Sequence, residues 1–378
     1  MIYLDNAATT YPKPKIFYDS VEDAFKNYSF NSGRGAYTKA QEVSKVIEDT
    51  RKKIAKIAGS QNYNNVVFTP SATASLNQII TGFQYNRGIN VYVTPFEHNS
   101  IIRPLNYMKE KYDFNIIEIP FNKDTWELEE EELIKLFENN TPTYVFMSHV
   151  SNVSGYILPV STITNLAKKY DAVTIVDAAQ SFSTVKLNIN ENKVDYLVFA
   201  GHKSLYGPFG IAGFIVNTNN KLDVNFSGGT GSDTMNYMMP EELPQRHEAG
   251  SPNSSAIYLL NKSLDFVMNN NVYEKKKELT DYLIEKLRDL INVELYLPED
   301  INKCEGIVSF NVDGYLPDEV GKILNDEFDI AVRTGFHCAP RIHEFIGTKD
   351  KMGTVRVSLG FFNTKEEIDK LVEAIETL

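Results

Sequence analysis

Val194-Asp-Tyr-Leu-Val-Phe-Ala-Gly-His-Lys203-Ser-Leu-Tyr-Gly-Pro-Phe-Gly210 is the stretch on which the rest of the chain turns. Its first half, Tyr196–Phe199, is a run of β-branched and aromatic residues that reads as a strand. The run is apolar without alternation, as a strand covered on both faces of a parallel sheet must be. Six more runs of this kind recur at Val66–Phe68, Val91–Val93, Ile116–Ile119, Tyr144–Met147, Val173–Val176 and Ile211–Val216. Between them lie stretches with apolar residues three and four apart, such as Val43–Ala58 and Leu133–Phe137, which read as helices. The pattern predicts an α/β fold with a mostly parallel seven-stranded sheet and helices on both faces. Ligands in such sheets bind beyond the carboxyl ends of the strands, so the residues just after each run are the candidates for chemistry.

The last third has another character. A loop rich in Gly, Met, Pro and Glu spans Gly228–Pro252. Helical patterns follow at Ser255–Asn269 and Tyr273–Ile291, then strand candidates at Gly306–Asn311 and Thr354–Ser358 and a closing helix from Lys365. Residues 1–245 therefore read as a large domain opening with an arm at 1–14, and residues 246–378 as a smaller α+β domain.

Composition narrows the partners. The 378 residues hold 38 basic and 50 acidic side chains, a net charge of −12 that repels both a phosphate backbone and an anionic lipid surface. No apolar run reaches the roughly 18–20 residues of a membrane helix. The start, with Asp5 and no basic-then-apolar order, does not read as a signal peptide. Two cysteines, Cys304 and Cys338, are too few for a disulfide framework. A soluble, cytoplasmic protein acting on a small molecule is expected, with no nucleic acid and no membrane.

Lys203 follows a buried run within a glycine-rich turn, where desolvation lowers an amine toward its nucleophilic form. Val173-Thr-Ile-Val-Asp177 ends another run in a carboxylate, with Gln180 three residues on. A pyridoxal phosphate cofactor needs an acid at its ring nitrogen and a donor at its ring oxygen, and Asp177 and Gln180 suit both. An Asp after a strand is otherwise a helix cap. Ser71-Ala-Thr73 runs from strand into helix, where amides and hydroxyls suit a phosphate. His98 and Asn152 end two further runs. Cys338 is flanked by His337, Arg333 and Arg341, a cationic setting that favours a thiolate, whereas Cys304 reads as structural. Cys338 and His343 fall short of a four-ligand metal site.

Taken in order, His98, Asn152, Asp177 with Gln180, and Gly201-His202-Lys203 resemble the class V aminotransferase-fold group of pyridoxal phosphate enzymes, of fold-type I. The resemblance runs from Tyr3-Leu-Asp-Asn-Ala-Ala-Thr9 through Asn31-Ser-Gly-Arg-Gly35 and Glu248-Ala-Gly-Ser-Pro-Asn253 to Arg333-Thr-Gly-Phe-His-Cys338-Ala-Pro340 and Arg356. The segment ending in Cys338 is similar to the Suf-type cysteine desulfurases, which share the fold with selenocysteine lyases. The resemblance implies Lys203 as the Schiff-base lysine and Asp177 and Gln180 as partners of the ring. It implies His98 as stacking residue and proton carrier, Thr73 and His202 on the phosphate, Asn152 on a cofactor oxygen or the substrate carboxylate, and Arg356 on that carboxylate. Thr230 would reach the phosphate of a neighbouring subunit, implying a homodimer. Departures are Ala200 where Ser is common, Ser71-Ala-Thr73-Ala74 where Gly-Ala-Thr-Glu is common, and Phe336 in place of a first histidine. The implied activity takes sulfur from L-cysteine, leaves L-alanine, and passes a Cys338 persulfide to an acceptor protein or thiol. The alternatives are a selenocysteine lyase acting on L-selenocysteine, an aminotransferase without a persulfide step, and a non-catalytic scaffold.

Overall fold

The computed structural model describes residues 1–32, 35–231 and 235–378. Gly33 and Arg34, within the quoted Asn31–Gly35 stretch, lie outside the described residues, as do residues 232–234 of the long loop. After a two-residue strand β1 (Ile2–Tyr3), the seven apolar runs become seven strands. These are β2 (Val66–Thr69), β3 (Asn90–Val93), β4 (Asn115–Glu118), β5 (Tyr144–Ser148), β6 (Val173–Asp177), β7 (Tyr196–Ala200) and β8 (Ala212–Val216). They form one sheet in the order β2-β8-β7-β6-β5-β3-β4. Only β8 runs against its neighbours, so the other six share a direction and end on one edge.

Two separate cores explain why these runs do not alternate. Tyr92, Val145, Met147, Leu197 and Phe199 face one core, while Val91, Val93, Phe146, Tyr196 and Val198 face the other. Successive side chains leave opposite faces of a strand, and helices cover both. Tyr92, Phe146 and Phe199 are fully buried, each contributing on the order of 2 kcal/mol. Edge strand β4 is half-exposed.

Helix Ser254–Asn269 packs along helix Thr38–Ala58, and its Ile257, Leu260 and Leu264 enter the core of the large sheet. Beyond it, β9 (Val293–Tyr296), β10 (Ile307–Val312), β11 (Ile330–Ala331), β12 (Arg333–Gly335) and β13 (Thr354–Ser358) appear. Four of them form an antiparallel sheet, β12-β13-β10-β9, and β11 instead pairs with β1 in parallel. A third core joins this sheet to helices Val272–Arg288, Pro317–Phe328 and Lys365–Glu376. The sequence pattern marked β10 and β13; it missed β9, β11 and β12, which are short and carry half-exposed residues. Among the described residues no helix is long and apolar enough to cross a membrane.

Candidate active site

The shared edge of the large sheet holds a cavity of about 110 Å³ lined by Thr73, His98, Asn152, Asp177, Gln180, His202 and Lys203. They come from the ends of five strands, β2, β3, β5, β6 and β7, or from the turns and helix starts that follow them. β7 delivers Lys203 through a turn in which the Gly207 N–H donates to the Gly201 carbonyl at 2.7 Å. A side chain at Gly201 would begin 2.5 Å from the Ile211 carbonyl oxygen, so only glycine allows the strand to end this way. Burial pulls the Lys203 ammonium down to about 8, with the Asp177 charge working the other way.

Asp177 closes β6, and its Oδ1 accepts the Ala179 N–H at 2.9 Å. The side chain thus makes the local turn bond expected of a cap while facing the cavity. Burial raises its pKa, and the Ala179 bond and Lys203 draw it back. Gln180 Nε2 donates to the Ala7 carbonyl at 2.9 Å, tying the amino-terminal arm to the cavity wall.

His98 caps helix Asn99–Lys111, with Nδ1 accepting the Ser100 N–H at 3.0 Å. That nitrogen therefore carries no proton, and the neutral ring bears its hydrogen on Nε2. Burial, then the charges of Lys203 and Arg356, push the imidazole down to about 4. Ser100 Oγ lies 2.8 Å from His98 Nδ1 and 2.9 Å from Thr73 Oγ1, so a chain of hydroxyls links His98 to the first turn of helix Ala72–Gly82. Ser71 caps that helix, accepting the Ala74 N–H at 3.1 Å. His202 stacks on Phe209 at 4.5 Å, and its Nδ1 is buried without a partner among the described residues.

Asn152 faces two ways. Its main-chain oxygen accepts from Arg356 Nη1 at 2.8 Å, and its Nδ2 donates to the His337 carbonyl at 2.8 Å. The Asn99 N–H donates to the Cys338 carbonyl at 2.8 Å, so the cysteine loop docks on the amino end of helix Asn99–Lys111. His337 and Cys338 both sit at positive φ, 47° and 58°, a region costly for side chains that bear a Cβ. Cys338 is exposed, and its charge bears on both Lys203 and Arg356. The flanking cations read from sequence are partly spent. His337 is buried, and burial lowers its pKa well below the usual range while its ring bonds Thr354, Nε2 to Oγ1 at 2.9 Å, and Arg341 pairs with Glu118 at 2.6 Å. Cys304 is fully buried, and burial pushes its thiol up to about 12. Thr230 stands in the long loop and is not among the residues lining the cavity.

Two carboxylates had drawn no role from sequence. Glu97, fully buried beside His98, accepts from the Ser148 N–H and hydroxyl at 2.8 and 2.9 Å and from the Thr94 hydroxyl, and burial pushes it up to about 7. Its only sequence signal was adjacency to a strand end. Asp5 reaches Arg356 from the opposite end of the chain.

A buried amine, a buried acid and a histidine ring thus share the carboxyl edge of the sheet, the arrangement that the resemblance to the aminotransferase class-V fold implies. Residues 2–371 match the model of the aminotransferase class-V family, and the chain belongs to that family. Its relatives include a probable cysteine desulfurase of Halalkalibacterium halodurans, 30% identical over 388 residues that span 100% of this chain and 92% of the relative. A cysteine desulfurase of Haloferax volcanii is likewise 30% identical, spanning 100% of this chain and 89% of its own length. Among solved structures, the apo cysteine desulfurase of Thermococcus onnurineus superposes with a TM-score of 0.90 at 28% identity, covering 100% of this chain and 94% of that one. The Escherichia coli cysteine desulfurase CsdA shares the fold, with a TM-score of 0.86 at 22% identity over 99% and 94% of the two chains.

Proposed function

We propose that the chain is a pyridoxal 5′-phosphate-dependent cysteine desulfurase that converts L-cysteine to L-alanine and carries the sulfur as a Cys338 persulfide. The observation that carries this is the meeting of Lys203 and Asp177 in one cavity with the Cys338 loop docked at its rim through Asn99 and Asn152. The residues fit the cofactor. The unpartnered His202 Nδ1 and the capped helix start at Ser71–Thr73 suit a phosphate, and buried Asp177 suits a protonated ring nitrogen. Lys203 is the amine for the aldehyde, and Gln180 and His98 flank it. When bound, pyridoxal phosphate supplies an electron sink for the substrate α-carbon.

Lys203, near 8, passes between neutral and charged forms around neutral pH and so can hold or release a proton at Nζ. His98, with Nδ1 spent on the cap, presents a neutral ring for stacking, and any proton it handles moves through Nε2. Arg356 takes the substrate carboxylate on its guanidinium fork. The Cys338 thiolate attacks the substrate sulfur: the S–S bond of the persulfide forms as the carbon–sulfur bond breaks. The released pair stays with the three-carbon product, which takes up a proton and leaves as alanine. A homodimer in which Thr230 meets the neighbouring cofactor, a sulfur-acceptor protein and a cytoplasmic setting belong to the same reading. A division into a large lobe, residues 1–245, and a smaller one, residues 246–378, belongs to the same reading.

The test is one assay of purified protein with L-cysteine, with L-selenocysteine, and with L-alanine plus 2-oxo acids. Alanine and sulfide from L-cysteine, with one sulfur atom gained on the Cys338 peptide, are expected. Transamination without a persulfide, or selenide release with no action on L-cysteine, hands the function to the aminotransferase or the lyase.

A further inference from the structure

The arm between β1 and the first helix crosses the site in a fixed path. The Ser358 N–H donates to the Leu4 carbonyl at 2.7 Å, and the Asn6 N–H donates to the Ser358 carbonyl at 3.2 Å. Leu4 is fully buried and Asn6 nearly so. Asp5, between these two anchors, has its carboxylate pinned at the end of β13. Its Oδ1 accepts from Arg356 Nη2 at 2.7 Å.

Arg356 is 2% exposed and sits on β13, opposite Ser309 of β10 and Arg333 of β12. Its Nη1 donates to the Asn152 carbonyl at 2.8 Å, and its Nε–H is buried with no partner among the described residues. A guanidinium has five N–H donors, so two are engaged and others remain. A buried, unpartnered N–H on a charged group is costly until an acceptor reaches it, and the acceptor that matches a planar fork is a carboxylate. Asp5 therefore holds the arginine by one arm and leaves part of the fork open.

We propose that Asp5 is a positioning residue for the carboxylate site: it orients Arg356 for an incoming amino-acid carboxylate while its own charge weakens that carboxylate's binding. Asp5 does not itself touch substrate. The proposal rests on the reading that Arg356 takes the substrate carboxylate. Its two effects are separable, because an amide oxygen can still accept from Nη2 without charge, and an alanine can do neither. A residue that merely supported the fold would send both variants the same way.

The experiment uses the holoenzyme reconstituted with pyridoxal 5′-phosphate. KM and kcat are measured for L-cysteine, and the dissociation constant of L-alanine, the product, is measured by calorimetry. Asp5→Ala should raise KM and the L-alanine constant about tenfold, the loss of one charge-assisted hydrogen bond. Asp5→Asn should lower both about threefold, since the competing charge is gone and the orientation is kept. In each, kcat should stay within about threefold of wild type, because the reacting atoms keep their partners. Movement of both variants in the same direction, or of neither beyond about twofold, overturns the proposal. Arg356→Gln separates the two levels. If it leaves L-alanine binding unchanged, the carboxylate reading of Arg356 fails; if it weakens binding while both Asp5 variants match wild type, only the role of Asp5 fails.

Discussion

Lys203 inside the cavity and Cys338 in the loop docked beside it are held by different means. Lys203 follows a strand buried on both faces, and its position follows from packing: Phe199 and Val198 anchor β7 in two cores, and Gly201 turns the chain. Cys338 lies in an exposed loop with two residues at positive φ, kept in place by hydrogen bonds from the other lobe, Asn152 to His337 and Asn99 to Cys338. The first arrangement is paid for by the core. The second depends on a few polar contacts, so single changes should move it without disturbing the first.

The largest expected effect is on the packed side. Lys203→Ala should lower alanine formation by about 10³ or more while the thermal melting temperature is held, since only an amine at that point serves. Activity near wild type in that variant would break the assignment of the cavity. Cys338→Ala should cut sulfide release from L-cysteine by roughly two orders of magnitude and spare L-selenocysteine more. Its counterpart Cys304→Ala should leave turnover unchanged and cost about 1 kcal/mol of stability, as a buried truncation does. A thiol at 304 that mattered for rate and not for stability would reverse the contrast between the two cysteines.

Asn152→Ala sharpens the comparison, because the main-chain bond to Arg356 survives and the amide tie to the loop is lost. The rate of sulfur loading on Cys338, followed by peptide mass, should fall about tenfold, the worth of roughly one buried hydrogen bond. KM for L-cysteine should move less; an unchanged loading rate would mean the loop needs no tie.

Smallest at any single group is the response to acid. All six histidines have pKa values lowered by burial. A histidine kept neutral in the fold contributes stability above its unfolded value of 6.5 and loses it as pH falls toward 4. Glu97 and Asp177, whose pKa values are raised, act oppositely, contributing at low pH and losing stability as pH rises, Glu97 through about 7. Six groups outweigh two, so the melting temperature should fall between pH 6.5 and 4, and a flat profile there would contradict the buried, neutral rings.

The contrast also explains what could be read from the chain alone. The buried strands were visible because apolar residues on both faces leave an unbroken run, half-exposed β4 because its isoleucines cluster at Ile116–Ile119, and the cavity residues followed from their place after each run. Short strands such as β9 and β12 were not, because half-exposed residues in pieces of four or three give no period. Asp5 and Arg356 stand 351 positions apart, so no local pattern joins them. His337 was counted with the cations near the thiol from its neighbourhood in sequence. Its ring turns inward to Thr354, and burial makes it neutral.

The docking of the Cys338 carbonyl on the Asn99 amide bears on delivery. A sulfur carried there in the desulfurase reading moves with one short side chain, because the backbone beneath it is held at the His337 and Cys338 carbonyls. In the desulfurase reading the hand-off is then a matter of visitors rather than of a moving arm. The recipient in that reading must bring its own nucleophile to the exposed Cys338.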